Sequence, residues 1–333
     1  MDGISMDILI KLPVHLYLGV ITMTDMAKKE QGRWGKIFID KRDWPVYNEQ
    51  LVIRGEYFLD VEWVRTWDKE LQEMNRNKIG HPYKFPDSLI RLQSIWHDKN
   101  VPYRMLEGIT RQLCSKAHIP EYNDYSTINR RINQLDFHLD LPDGNNIAIF
   151  GDGSGFQAIN GGEYLREKYG KRNRRWIQVV ILGDSKTKEP VSFEVNLIPS
   201  SEPESAKRQL KRLLDNKVRI SKFGGDGAFD EIDLWQKLES NKIHPSIKPD
   251  ENARDDGICQ LRNQHVAERN RDGYKQWAKH HGYGMRWPAT EGIFSAVKRI
   301  FGEHLMATSE TGLVQEAKSK MWAYLAIKRY GEA

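Results

Sequence analysis

The spacing of apolar and polar residues changes near the middle of the chain. Between positions 86 and 135, apolar residues recur every three or four positions, which predicts amphipathic helices. From position 145 onward, short apolar runs bounded by turn residues predict strands that alternate with helical segments. The predicted strands cover 147–150, 176–182, 191–197, 218–223 and 244–249. The predicted helices cover 62–74, 86–96, 102–114, a segment beginning at Ser126 or Thr127, 205–214, 230–238 and 290–301.

The order of these elements predicts an α/β fold. Three strands in sequence, then a helix, a parallel strand, a helix and a last strand form a mixed sheet with helices packed on it. We expect three regions: an aromatic-rich N-terminal arm over 1–80, a small helical module over 81–140, and an α/β domain over 141–333. The α/β domain would carry a polar insertion at about 250–288.

Composition is that of an ordinary soluble protein, with 39% hydrophobic and 29% charged residues. Acidic Asp2 and Asp7, rather than basic residues, precede the apolar segment 8–23, and no other run approaches about 18 apolar residues. We therefore expect neither a signal peptide nor a membrane span. Cys114 and Cys259 are isolated, which predicts buried thiols in a reducing cytoplasm.

Positive charge is concentrated in two runs, although the formal net charge is only +5. Residues 166–175 contain six basic residues against one acidic residue, and residues 207–222 contain seven against one. A solvated surface would explain either run alone. Two such runs in one α/β domain favour a polyanionic partner, and nucleic acid fits that description best.

Two of the predicted strands lead into an aspartate flanked by glycine. Asp152 follows the run 147–150, and Asp226 follows the run 218–223. An Asp-Gly turn would explain either one alone. Two copies of the pattern indicate a pair of metal-ligating carboxylates, because glycine lets a phosphate or another backbone approach closely.

A third acidic residue, Glu291, lies in the first turn of the helix predicted over 290–301, with Thr290 as its cap. Lys298 is two turns further on and faces the same side. Three carboxylates repel one another in a protein interior, and Mg²⁺, which prefers hard oxygen ligands, resolves this. We therefore predict two Mg²⁺ ions, replaceable by Mn²⁺, that catalyse phosphoryl transfer.

The last helix of the 81–140 module is predicted to read DNA. Its polar face is expected to present Asn129, Arg130, Arg131 and Asn133, a composition suited to insertion into a major groove. A three-helix bundle with an ordinary polar face is the alternative. DNA reading is favoured because the rest of the chain also indicates a DNA partner.

Other ligand-binding patterns are weak in this sequence. His265, His280 and His281 have no accompanying set of cysteines or spaced carboxylates, so we predict no metal role for them. Phe156 stands where a glycine-rich nucleotide motif would need its third glycine, and no Gly-Lys-Ser/Thr phosphate loop is present.

The order strand–Asp, strand–Asp, helix–Glu after a helical module resembles the Asp-Asp-Glu (DDE) transposases of insertion sequences, which have a ribonuclease H-like fold. That family's pattern Tyr-x2-Arg-x3-Glu-x6-Lys would place tyrosine at position 284 and arginine at position 287, whereas Tyr283 and Arg286 stand one residue earlier. The motifs that carry the resemblance are Asp152-Gly-Ser-Gly-Phe156, Gly225-Asp226-Gly-Ala-Phe229, Trp277-Ala-Lys-x-x-Gly282-Tyr283 and Glu291-x6-Lys298-Arg299-x-Phe301-Gly302.

The resemblance implies a ribonuclease H-like mixed sheet flanked by helices, preceded by a helical DNA-binding module. It implies a transposase that binds terminal inverted repeats and target DNA, assembles as a homodimer on DNA, and works in the cytoplasm at the nucleoid. Asp152, Asp226 and Glu291 would be catalytic and bind metal. Together with the basic runs, the resemblance predicts DNA contacts from Lys298, Arg299, Arg286, Tyr283, Arg130, Arg131, Asn129, Lys171, Arg172, Arg174 and Arg175. A structure-directed Mg²⁺-dependent nuclease of the same fold and a decayed copy that only binds DNA are the alternatives.

Overall fold

The computed structural model describes residues 42–116, 119–142, 146–159 and 176–332, and the backbone of 30–31 and 37–38. The predicted DNA contacts Lys171, Arg172, Arg174 and Arg175, and the apolar segment 8–23, lie outside these residues. The chain divides into two units, Met1–Glu49 and Gln50–Ala333. In the first unit, strands β1 (Glu30–Gln31) and β2 (Ile37–Phe38) pair antiparallel.

The predicted amphipathic helices are present in the first part of the chain. Their apolar residues, such as Leu89, Leu106 and Ile128, are fully buried in one cluster. The aromatic residues Trp67 and Phe85 close this cluster edge to face, so the segment 58–71 shares the core of the helices that follow. The helices are α1 (Trp44–Glu56), α2 (Trp67–Asn75), α3 (Asp87–Asp98), α4 (Tyr103–Lys116) and α5 (Tyr125–Ile132).

The N-terminus of α5 is capped by Asp124, so the prediction of Ser126 or Thr127 as the cap is wrong. The Asp124 carboxylate accepts hydrogen bonds from the backbone N–H of Ser126 and of Thr127, each at 3.0 Å. An ionised carboxylate satisfies two free N–H groups at once, and the positive end of the helix dipole favours it over a neutral hydroxyl.

Arg131 does not face solvent, so its placement on the exposed face of α5 is wrong. Its guanidinium donates to Asp87 Oδ1 at 2.6 Å and to the carbonyl oxygen of Phe85 at 3.0 Å, and it lies over the Tyr83 ring. The side chain therefore stabilises the helical region from inside. Asn129 and Arg130 remain exposed on α5.

The α/β region contains a six-stranded mixed sheet in the order β5-β4-β3-β6-β7, with β8 also paired to β3. β4 pairs antiparallel with both β3 and β5, whereas β6 pairs parallel with both β3 and β7. This topology confirms the predicted α/β fold. The strands are β3 (Ile147–Ala158), β4 (Trp176–Asp184), β5 (Pro190–Asn196), β6 (Ile220–Gly225), β7 (His244–Ile247) and β8 (His304–Leu305).

Strand β3 is much longer than the four-residue apolar run that predicted it. Asp152 was expected at the end of the strand, but it lies in the middle of β3, opposite Ile181 of β4. The glycines after Phe150 do not stop the strand, because β4 supplies backbone partners along its length and Phe156 is buried again beyond them.

Helices cover both faces of the sheet. Apolar residues alternate along β4, so that Ile181 enters one core cluster and Leu182 enters the other. Helices α6 and α7 pack on the second cluster, and α11 and α12 pack on the first. The helices are α6 (Glu202–Asp215), α7 (Ile232–Ser240), α8 (Gln260–Asp272), α9 (Tyr274–His280), α10 (Arg286–Ala289), α11 (Glu291–Phe301) and α12 (Glu310–Tyr330).

Helix α12 joins the helical region to the sheet. Its Trp322 packs against the clusters of both regions, and its Ser319 donates to the buried carboxylate of Asp98 in α3 at 2.6 Å. Gln315 donates to the carbonyl oxygen of Leu135 at 2.8 Å. Among the residues described, no helix is long and apolar enough to cross a membrane.

Candidate active site

Two of the predicted acidic residues lie on adjacent strands. Asp152 is in β3, and Asp226 directly follows β6, whose Gly224 pairs with Phe150 of β3. The Asp226 carboxylate accepts from the backbone N–H of Ala228 at 2.9 Å, which caps a short 3-10 helix over Gly227–Phe229. The parallel pairing of β3 and β6 therefore places the two carboxylates beside each other at the same part of the sheet.

The third acidic residue begins the helix that covers them. Glu291 is the first residue of α11, whose buried Ile293 and Val297 hold the helix on the sheet. Thr290 precedes the helix, but its hydroxyl donates to the carbonyl oxygen of Arg286 at 3.0 Å rather than capping α11. The prediction of Thr290 as a side-chain cap is therefore wrong, because its hydroxyl is turned towards the preceding short helix and accepts no hydrogen bond from the backbone N–H groups of α11.

Arg286 links the acidic residues. Its Nη2 donates to Glu291 Oε1 at 2.7 Å, and its Nη1 lies 3.7 Å from Asp152 Oδ2. Tyr283 lies beneath the guanidinium, with its ring centre 5.8 Å away. The one-residue displacement of tyrosine and arginine from the family pattern thus leaves both side chains next to the acids, whereas Trp287 is 61% exposed.

Several charged side chains lie close together around Asp152. The pKa of the Asp152 carboxyl is raised to about 6. Burial is the largest cause, the positive charge of Arg286 opposes it, and the negative charges of Asp226 and Glu291 add to it. A carboxyl shifted in this way gains from a nearby cation. Carboxylate oxygens are the ligands that Mg²⁺ and Mn²⁺ prefer, so this donor set fits a hard divalent ion.

A fourth carboxylate, Glu202, joins the site and was not predicted. Burial raises its pKa, and the charges of Asp152 and Asp226 raise it further. It begins α6 and occupies the space that a Cβ at Gly153 would fill, so this glycine allows the close approach. The sequence signal was a glutamate in the first turn of a helix after two serines, which is also the pattern of an ordinary helix start.

An open groove of about 550 Å³ runs past Asp152 and Glu291 along α11. Both residues of α11 that are predicted to contact DNA lie on it. Lys298 Nζ is 3.9 Å from Glu303 Oε1, and Arg299 donates to Ser295 Oγ at 3.3 Å. The groove is lined by Asp152, Gly153, Ser154, Glu291, Phe294, Ser295, Lys298, Arg299 and Glu303.

The basic run at 207–222 is largely engaged within the protein. Lys207 is paired with Glu204 and Glu231, and Arg208 is paired with Glu194. Lys222 Nζ donates to the carbonyl oxygen of His281 at 2.8 Å. These ion pairs and hydrogen bonds account for much of the local excess of positive charge that suggested a polyanion-binding surface. The other run, 166–175, lies outside the described residues.

The histidines of the polar insertion do have a carboxylate partner, contrary to expectation. His281 Nε2 lies 2.7 Å from Glu268 Oε2, and His280 is adjacent. Glu268 is distant in sequence from both, on α8, so no short motif signals the contact. The ring of His281 also lies over that of His265, with ring centres 4.0 Å apart.

Two family models for transposase DDE domains match the chain. One, described as "Transposase DDE domain", covers residues 143–326, which is more than half of the sequence and includes all four carboxylates. The other, with the same description, covers residues 52–160. No curated protein sequence matches the chain.

Two solved structures show weak similarity. The piggyBac transposase synaptic complex with hairpin DNA is 11% identical with a TM-score of 0.33, over 85% of this chain and 75% of that one. The Drosophila P element transposase strand transfer complex is 16% identical with a TM-score of 0.31, over 58% of this chain and 47% of that one. At these scores neither similarity supports a conclusion about this chain.

Proposed function

The chain belongs to the transposase DDE domain family, and from this premise we propose that it cuts the ends of an insertion sequence and joins them to target DNA. Asp152, Asp226 and Glu291 would be its catalytic residues. The observation that carries the proposal is their convergence around Arg286, beside a groove that also exposes Lys298 and Arg299.

The carboxylates would hold two Mg²⁺ ions, with Mn²⁺ able to replace them. Such ions lower the pKa of bound water and stabilise the charge that develops in an in-line phosphoryl transfer. Asp152 would provide a ligand from β3, Asp226 one from the end of β6, and Glu291 one from the start of α11. Arg286 orients Glu291 and Asp152, since it contacts both.

The reaction would proceed in two displacements at phosphorus. In the first, the oxygen of water bonds to phosphorus while the bond from phosphorus to the 3′ oxygen breaks, which leaves a 3′-hydroxyl at the element end. In the second, that hydroxyl attacks a phosphorus of target DNA and displaces its 3′ oxygen. Lys298 and Arg299 would hold the backbone phosphates during both steps, because they lie on the groove that reaches Asp152.

The helical region would recognise the terminal inverted repeats. Asn129 and Arg130 are exposed on α5, where they can reach base edges or phosphates. Lys171, Arg172, Arg174 and Arg175 remain proposed DNA contacts. We further propose a homodimer on DNA, because both element ends must be joined to the target DNA. We also propose that the protein is at the nucleoid while it is bound.

Strand transfer distinguishes this function from that of a nuclease with the same fold. We would incubate the protein with duplexes that carry the element end, a target plasmid and Mg²⁺, and look for covalently joined products. Joined products support a transposase. Cutting without joining would indicate a structure-directed nuclease, and binding without cutting would indicate a decayed copy.

We expect Glu202→Gln to slow end cleavage by about 10- to 100-fold and to raise the Mg²⁺ concentration required for half-maximal rate, because one charged oxygen donor is lost beside Asp152. Cleavage rates measured across a Mg²⁺ titration test this. Glu204→Gln is the matched control, since Glu204 is on the same helix but pairs with Lys207. An unchanged Mg²⁺ requirement in Glu202→Gln would remove this residue from the site.

Neighbouring arginines on α5 should respond differently to truncation. Arg130→Ala should weaken binding of element-end DNA and reduce the salt dependence by about one counterion. Arg131→Ala should instead lower the free energy of unfolding by about 1–3 kcal/mol, because Asp87 and the Phe85 carbonyl lose a buried donor. Binding isotherms over a salt series and urea unfolding separate the two effects. Equal loss of DNA affinity in both folded variants would contradict the assignment.

A further inference from the structure

The polar insertion brings together a second set of metal-type ligands, outside the acid site. Glu268 lies on α8, His280 ends α9, and His281 follows it. One donor atom from each lies within 4.8 Å of the other two. His281 Nε2 is 2.7 Å and His280 Nδ1 is 3.9 Å from Glu268 Oε2.

Two of the three donor separations are near those around a tetrahedral ion, and the third lies within 4.8 Å. Zinc binds imidazole nitrogen and carboxylate oxygen at about 2.0–2.2 Å, which places its donors about 3.3 Å from one another. Each of the two measured distances differs from that value by only about half an ångström. His280 is 75% exposed and Glu268 is partly exposed, so both side chains can adjust.

The surroundings of His281 fix the ring nitrogen that would bind. His281 Nδ1 lies 3.1 Å from His244 Nε2 on β7. The 2.7 Å contact of Nε2 with Glu268 Oε2 is a hydrogen bond. An ion would take the place of the proton in that bond, while a proton on Nδ1 donated to His244 would hold the ring in place, as the hydrogen-bond partners of metal-binding histidines do. Because His281 is only 4% exposed, its ring orientation is set by packing.

We propose that Glu268, His280 and His281 bind a transition-metal ion, and that Zn²⁺ is the ion that fits best. Two imidazoles and one carboxylate favour Zn²⁺ over Mg²⁺, which prefers oxygen ligands throughout. A groove of about 410 Å³ opens beside Glu268 and His280 and leaves room for water to complete the coordination. The ion would fasten α8 to the end of α9, just before Tyr283 and Arg286.

The test is metal binding by the full chain, with any affinity tag removed and excess Mg²⁺ present to occupy the acid site. Zn²⁺ affinity is measured by competition with a chromophoric chelator. Co²⁺ is titrated as well, since its visible spectrum reports coordination geometry. We expect a single Zn²⁺ per chain and a tetrahedral Co²⁺ spectrum, and we expect Glu268→Gln and His280→Ala each to lower Zn²⁺ affinity by at least about 100-fold.

Asp272→Asn is the matched control, because Asp272 lines the same groove but is paired with Arg271. Its Zn²⁺ affinity should stay within about threefold of the unmodified chain, a change of under about 0.7 kcal/mol. An equal loss of affinity in Asp272→Asn would mean that the groove attracts cations by charge alone. That result, or the absence of Zn²⁺ binding in the unmodified chain, would overturn the proposal without bearing on the acid site.

Discussion

Asp152→Ala should cleave element ends at least about 10³-fold more slowly than the unmodified chain, while it still binds the same DNA. Replacing a residue that hydrogen-bonds to a metal ligand typically lowers activity by about 10- to 100-fold. The loss in rate should be larger here, because Asp152 would itself be a metal ligand. Its removal also leaves Arg286 with Glu291 alone among its contacting acids. Cleavage of a labelled element-end duplex in Mg²⁺, beside a binding isotherm on the same duplex, measures both quantities.

Glu303→Gln is the control for this experiment. Glu303 lines the same groove, but it contacts Lys298 rather than Arg286. Its cleavage rate should stay within a few-fold of the unmodified chain. If Asp152→Ala cut DNA normally while binding it normally, the site assignment would be wrong.

Gly183→Ala should lower the free energy of unfolding by about 3 kcal/mol and reduce cleavage as well. A Cβ at Gly183 of β4 would collide with the carbonyl oxygen of Ala289, at the end of α10. Overpacking of this kind costs about 1–3 kcal/mol, and a backbone atom has little room to give way. Because Ala289 lies between Arg286 and Glu291, a shift of α10 that relieved the collision would move both functional side chains.

Gly284→Ala is the control, because the added methyl group has free space there. No atom of the described residues lies within 4 Å of a Cβ built at Gly284. This variant should keep its stability or gain about 0.5–1 kcal/mol, since alanine restricts the unfolded chain. Urea unfolding and end cleavage of the two variants test the pair. Equal stability of Gly183→Ala and the unmodified chain would show that α10 does not need this close approach to β4.

Much of the fold was predictable because it depends on local patterns. Short apolar runs bounded by turn residues predicted the strands, and spacings of three and four predicted α3, α4 and α11. Element lengths were less predictable. β3 extends through three glycines to Ala158, because pairing with β4 rather than its own residues sustains it.

Members of the candidate site could be named from the sequence where they stand in a distinctive local context. Asp152 and Asp226 each follow an apolar run and are flanked by glycine, and Glu291 precedes Lys298 by two helical turns. Arg131 was misplaced by the same kind of reasoning. Helical spacing assigned it to the polar face, but the position of Asp87 on another helix decided that it turns inward.

The sequence alone therefore determined the order of strands and helices and the three acidic residues, since hydrophobic periodicity and turn chemistry act over a few neighbouring positions. Only the tertiary structure decided that Glu202 joins Asp152, that Arg286 bridges Asp152 and Glu291, and that Glu268 meets His281. The energy of each of these interactions falls with the distance between the side chains. That distance is set by how the sheet packs against its helices, because the residues are far apart in the chain.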